Sequence, residues 1–172
     1  MKKSIRSIIS AASVFAMTAI YCPASATTTL PTPMLISATV LTTCIAGIGT
    51  PIVLASIGGG SGLTGSGAVV VTCTIGTTYD ILLDQGANAS VGAAPTARLL
   101  KNLLSSSTMT YGLYQDAAYT APWGNTVGTN TLHKTASGLI DTSNVYIKVD
   151  TTSANAAPAG SYADTVQISV QY

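Results

Sequence analysis

From Thr165 to Tyr172 apolar and polar side chains alternate without a break, and the alternation runs to the carboxyl terminus. Val166, Ile168, Val170 and Tyr172 share one face; Thr165, Gln167, Ser169 and Gln171 share the other. A period of two is the signature of a strand with one buried face. Such a strand needs a sheet beside it and a second layer beneath it. The same alternation recurs at Tyr79, Ile81 and Leu83, at Met109, Tyr111 and Leu113, and at Val145, Ile147 and Val149. Ala68 to Thr74 is a Val-rich strand, and Arg98 to Leu104 reads as a short strand or a helical turn. Turn signals such as Asp84-Gln85-Gly86 separate these runs.

Composition points the same way. Glu is absent and Lys is scarce, so the residues of solvated surface helices are missing, while Thr and Val abound. No convincing helix is expected. The fold class implied is all-β, a sandwich of short antiparallel strands.

The first 26 residues are expected to be a signal peptide. Lys2, Lys3 and Arg6 precede a short apolar stretch from Ile8 to Ile20, and Ala24-Ser25-Ala26 offers a cleavage site. A lipoprotein reading would use Cys22, but bulky Tyr21 fits that signal poorly. Cleavage would leave 146 of the 172 residues, one ordinary domain. That remainder holds four basic residues against six Asp, a balance of about −2. It offers no basic patch, so nucleic acid is not an expected partner.

Two cysteines then remain, Cys44 and Cys73. An even pair in an exported chain reads as one disulfide. The rival is two free thiols or half a metal site, which one His and no carboxylate cluster do little to support.

Met34, Ile36, Ala38 and Val40 alternate with more polar Ser37 and Thr39, and this is expected to be a strand leading into Cys44. Gly47 to Gly67 reads as loop, with Gly58-Gly59-Gly60-Ser61-Gly62 its most mobile part. That stretch lacks the Lys of a phosphate-binding loop. Thr27 to Pro33 is a polar start, and a polar Ala/Asn/Pro loop is expected before Pro158-Ala159-Gly160. His133 stands alone and no nucleophile-elbow sequence is present, so no catalytic residue, cofactor or metal ligand is assigned. Trp123 is either a surface-binding aromatic or, as preferred, a residue packed over a sandwich edge.

Tyr111-Gly112-Leu113-Tyr114-Gln115-Asp116-Ala117-Ala118, followed by Trp123-Gly124-Asn125, resembles the spore coat U domain family. So do Pro158-Ala159-Gly160-Ser161-Tyr162-Ala163-Asp164-Thr165-Val166 with its terminal strand, the two cysteines, and Arg98-Leu99-Leu100-Lys101-Asn102. Within that family the chain is similar to single-domain subunits of Csu-type pili, the archaic class of chaperone–usher pili. The resemblance implies an incomplete immunoglobulin-like β-sandwich, completed by a donor strand from a neighbouring subunit or a chaperone. It implies three partners: a periplasmic pilus chaperone, an outer-membrane usher and neighbouring pilus subunits. It also implies export through the periplasm to the cell surface, and a role in attachment and biofilm formation.

On this reading residues 27–40 hold the donor segment, with Leu30, Met34, Ile36 and Ala38 as the side chains that enter a neighbour's groove. Pro31 and Pro33 each lack a backbone donor, so they suit the start of that strand and not its centre. The pilin domain proper would span 34–172. The acceptor groove and chaperone-facing edge would include Val166, Ile168, Val170 and Tyr172, whose terminal carboxylate would meet basic chaperone residues. The alternative is a free secreted β-sandwich that binds carbohydrate or a surface.

Overall fold

A computed structural model of the chain describes residues 33–54 and 63–172. The expected signal peptide, Leu30, and the glycine run 58–62 lie outside those residues. The chain divides into a unit ending at Ala38 and a compact unit from Thr39 to Tyr172.

The compact unit is built almost wholly from antiparallel strands: β1 (Cys44–Thr50), β2 (Thr64–Cys73), β3 (Thr78–Leu83), β4 (Arg98–Asn102), β5 (Thr108–Tyr114), β6 (Leu132–Thr135), β7 (Ile140–Val149), β8 (Tyr162–Ala163) and β9 (Ile168–Gln171). Six of them form a sheet in the order β1-β2-β7-β5-β4-β8, and three form a second sheet, β6-β3-β9. The alternating apolar residues of β2, β3, β5 and β7 all turn inward. Val69, Val71, Tyr79, Ile81, Leu83, Met109, Leu113, Ile147 and Val149 make the core between the sheets. The pattern of two therefore sets both the pleat and the buried layer.

Three expectations need correction. Residues 33–43 form no strand, and Met34 and Ile36 are exposed. The first strand is Cys44–Thr50, whose second half falls in the stretch Gly47 to Gly67 expected to be loop, and β2 begins at Thr64 within the same stretch. Alternation marks a strand only where a ladder partner exists, and β2 offers its edge to 44–50. The glycines that suggested a loop serve close packing instead: a Cβ on Gly49 would lie 2.7 Å from Val70 Cγ2, beside a register shift between Ile48 and Thr50.

The expected loop after β7 contains a helix, α1 (Thr151–Ala156). Asp150 caps it by accepting a hydrogen bond from the Ser153 amide at 2.8 Å, and Ala154 is buried beneath it. Pro158 follows its end and prevents continuation.

The two cysteines are joined: Cys44 and Cys73 form a disulfide that ties β1 to β2. Trp123 is fully buried, and it works as a clasp between the sheets. Its amide donates to Leu113 O at 2.8 Å in one sheet, and its indole Nε1 donates to Ile81 O at 2.9 Å in the other.

A candidate strand-acceptor groove

A six-stranded sheet cannot be covered by a three-stranded one. β9 pairs with β3 on one side, and among the described residues no strand pairs with its other edge. β1 likewise pairs only with β2. These two edges approach each other over part of their length, and the sandwich opens towards the end of β1, between Ile48 and Thr50 on one side and Val166 and Ile168 on the other. The opening is a cleft of about 570 Å³ that reaches into the core.

Its floor is the inner face of the large sheet, where Val69, Leu100, Met109, Leu113, Val145 and Ile147 contribute apolar side chains. Ile48 and Thr50 to Leu54 form one wall; Val166 and Ile168 form part of another. Ile48 lines the cleft and is still 70 % exposed. An apolar trough beside an unpaired strand edge is the chemistry of strand addition: main-chain groups supply pairing and pockets take alternate side chains.

The four terminal residues singled out from the sequence divide. Val166 and Ile168 line the cleft. Val170 is half-buried against the core and sits opposite Ile81 in the ladder. Tyr172 is exposed, at the end of the strand. Gln167, Ser169 and Gln171 face outward, as the alternation requires. Of the donor candidates, Met34, Ile36 and Ala38 are exposed side chains of an unpaired segment.

One end of the cleft is polar, and sequence reasoning missed it. Asp164 lines the cleft there. Its carboxylate accepts from Tyr111 Oη at 2.7 Å, from the Ala87 and Asn88 amides, and from Asn88 Nδ2. Burial, and then the hydrogen bond to Asp164, push the Tyr111 phenol far above its ordinary value, so it stays a neutral donor. A Cβ on Gly86 would run into the Asp164 carboxylate, and its left-handed backbone, φ 83°, also calls for glycine.

Behind this end sits Arg98, fully buried. It donates to four main-chain carbonyls: Asp84 O at 2.8 Å, Pro95 O at 2.6 Å, Leu83 O at 3.0 Å and Trp123 O at 2.9 Å. Burial lowers its pKa. A guanidinium suits this task because its fork carries five donors in one plane. The signal available in the sequence was an Arg at an inward position of a strand, four residues before Asn102, which is also buried.

His133 is exposed and lies 3.1 Å from Asp80 through Nδ1. That places it on the outer face of the small sheet, away from the cleft-lining residues. Among the described residues no cluster of three or more His, Cys, Asp or Glu could hold a metal ion. No helix among them is long and apolar enough to cross a membrane.

The model of the spore coat protein U domain matches residues 30–169. Protein U of Myxococcus xanthus is 35 % identical over 115 residues, which cover 66 % of this chain and 63 % of that protein. The chain thus spans somewhat under two thirds of that relative's length. Among solved structures, the chain is similar to one from the CsuC–CsuE chaperone–tip adhesion subunit pre-assembly complex of the archaic chaperone–usher Csu pili of Acinetobacter baumannii. The TM-score is 0.52 at 18 % identity, covering 78 % of this chain and 41 % of that one. At that identity the likeness speaks to the fold.

Proposed function

The chain belongs to the spore coat protein U domain family, and from that premise we propose that it is a structural subunit of a chaperone–usher surface pilus. The observation that carries this reading is the open cleft between β1 and β9, apolar along its floor and bordered by an unpaired strand edge. A periplasmic chaperone fills the cleft first with a strand of its own. At the outer-membrane usher, residues 27–40 of the next subunit replace it. Met34, Ile36 and Ala38 then lie along the trough, with Leu30 beyond the prolines. Each subunit donates at one end and accepts at the other, so the association does not close and yields a fibre. Exported in this way, the fibre supports attachment and biofilm growth.

The disulfide suits an exported protein and fixes one wall of the cleft, because it joins the first residue of β1 to the last of β2. The low charge of the surface also suits a chain that must associate with copies of itself. Tyr172, just past the end of β9, is exposed and accessible to a chaperone.

The test is complementation within one chain. A second copy of residues 27–40, fused after Tyr172 through a flexible linker, should give a soluble monomer. Its unfolding midpoint should rise by about 10 °C, since a tethered strand stabilises only the native form. The unfused chain should polymerise or need chaperone. An unfused chain that is already a stable monomer, with no gain from fusion, would instead be a free binding module. Deleting 27–36 should leave chaperone binding intact and stop fibre growth at that subunit.

A further inference from the structure

One wall of the cleft, Pro51–Leu54, rests on the inner face of β2. β1 and β2 pair from Cys44↔Cys73 to Thr50↔Ala68, and β2 then runs on alone on that side to Thr64. Beyond Thr50 the chain passes onto the inner face of β2. Thr50 O lies 2.5 Å, and Ile52 Cγ1 2.7 Å, from where a Cβ of Gly67 would stand. Leu54 Cδ2 lies 2.9 Å from the corresponding point on Gly65. Gly65 and Gly67 share the inward face with Val69 and Val71. Only glycine at these two positions leaves room for Ile52 and Leu54 between the sheets.

Both side chains are half-buried and pack against the core, while Val53 between them is 83 % exposed. That in-out order is the order of a strand. Yet Pro51–Leu54 belongs to no strand, and among the described residues no backbone hydrogen bond holds it. Among the described residues, its seat on β2 is made by side-chain burial alone. A donor strand would bring similar apolar side chains and, in addition, a ladder of main-chain bonds to the free edge of β9.

We propose that Pro51–Leu54 is a displaceable internal plug: Ile52 and Leu54 rest over Gly67 and Gly65 in the isolated chain and withdraw when a donor strand enters. The plug regulates the cleft on which the pilus-subunit reading rests. It shields part of the core before assembly, and it makes strand uptake depend on the fraction of molecules in which the segment has moved aside. Weakening the plug raises that fraction and speeds uptake.

The probe is a fluorescent peptide of residues 27–40, added in excess to the full exported chain, with uptake followed by anisotropy. Ile52→Ser combined with Leu54→Ser should take up the peptide about tenfold faster than the unaltered chain, because the competent fraction limits the rate. Gly65→Ala, whose methyl pushes against Leu54 and leaves the plug sequence intact, should shift the rate in the same direction. Leu54→Cys gives a second readout that does not depend on the serine variant folding. Its thiol should react faster with a maleimide once peptide is loaded.

Peptide uptake by the unaltered chain, with no acceleration in the variants and slower labelling of Leu54→Cys on loading, would make Pro51–Leu54 a permanent wall. That overturns the plug and leaves the donor-strand reading standing. Uptake seen only in the plug-weakened variants supports both. No uptake by any of the chains overturns both.

Discussion

The Arg98 side of the sandwich and the β9 side are built on opposite principles. Around Arg98 buried polar groups are matched: four carbonyls meet one guanidinium, the Trp123 indole meets Ile81 O, and where this network reaches the polar end of the cleft Tyr111 meets Asp164. Along the rim of the cleft Ile52, Leu54, Val166 and Ile168 are only half-covered, although the floor beneath them is buried, and Pro51–Leu54 has no backbone bond among the described residues. Saturated polar networks hold one arrangement, since any rearrangement leaves an unpaired buried group. Half-covered apolar surface holds no single arrangement firmly and gains from any occupant. The closed side fixes the frame; the open side is left for a partner. This division predicts where substitutions act on folding and where they act on assembly.

The largest effect should come from the closed side. Arg98→Met keeps much of the volume and strips four carbonyls of their donor. Each buried group left unpaired costs about 1–3 kcal/mol, and several such losses exceed what a marginal domain can absorb. The expected outcome is no recoverable folded protein, with or without chaperone. Normal yield and an unchanged urea midpoint would show that the two sides are not so different.

The disulfide comes next. It closes a segment with a separation of 29 residues. Its loss should cost about 3.5 kcal/mol through the entropy returned to the unfolded chain. Cys44→Ser with Cys73→Ser should therefore lower the urea midpoint sharply. Because the bond anchors β1, the cleft should loosen before the Arg98 end does. Hydrogen exchange would show this as early loss of protection in β1 and retained protection in β4 and β5.

The open side gives a paired test. Ile168 lines the cleft and Gln167 faces out. Ile168→Asp places a carboxylate against apolar surface, at a cost of about 2–4 kcal/mol, and should abolish co-purification with the periplasmic chaperone. Gln167→Asp should change stability by less than about 0.5 kcal/mol. Equal recovery of the two would deny the terminal strand its place beside the cleft.

How much of this was legible beforehand depends on whether the signal was periodic. The strands at Tyr79–Leu83, Met109–Leu113 and Val145–Val149 stood out, because an alternation of two has one solution in a sandwich. The terminal face of Val166, Ile168 and Val170 was legible for the same reason. β1 was not, since Gly47 and Gly49 read as loop until the close approach of Val70 supplied a reason for one of them. Ile52 and Leu54 were hidden in the same stretch. Their role appears only when Gly67 and Gly65 are seen beneath them, and contacts of that kind have no period. The Arg98 network was hidden for a further reason. Its acceptors are main-chain carbonyls at 83, 84, 95 and 123, which leave no mark in side-chain identity. The helix α1 is too short for a helical repeat to show, and only its cap at Asp150 could have announced it.

The smallest expected effect concerns a single tie between the sheets. Tyr79 stands on β3 in the small sheet, and its hydroxyl donates to Asp141 on β7 in the large one, at 2.9 Å. Burial first, and then the bond to the Asp141 carboxylate, to which a phenolate has no proton to donate and which repels its charge, push the Tyr79 pKa up from 10.0 to about 12. The raised value fixes the sign. Below pH 10 both folded and unfolded chains keep the proton, and the contribution to stability is fully present. As pH rises from 10.0 towards about 12 the unfolded chain loses its proton first, so this stability is lost across that window. Tyr111, also shifted upward, acts in the same direction. At neutral pH, Tyr79→Phe removes one hydrogen bond and should cost only about 1 kcal/mol. In that variant the alkaline decline should be shallower than in the unaltered chain. Thermal melts at pH 8, 10 and 11 (about one unit apart at the decisive end) measure both slopes. Parallel slopes would mean that Tyr79 does not titrate with folding and that the sheets are held together by the Arg98–Trp123 clasp without it.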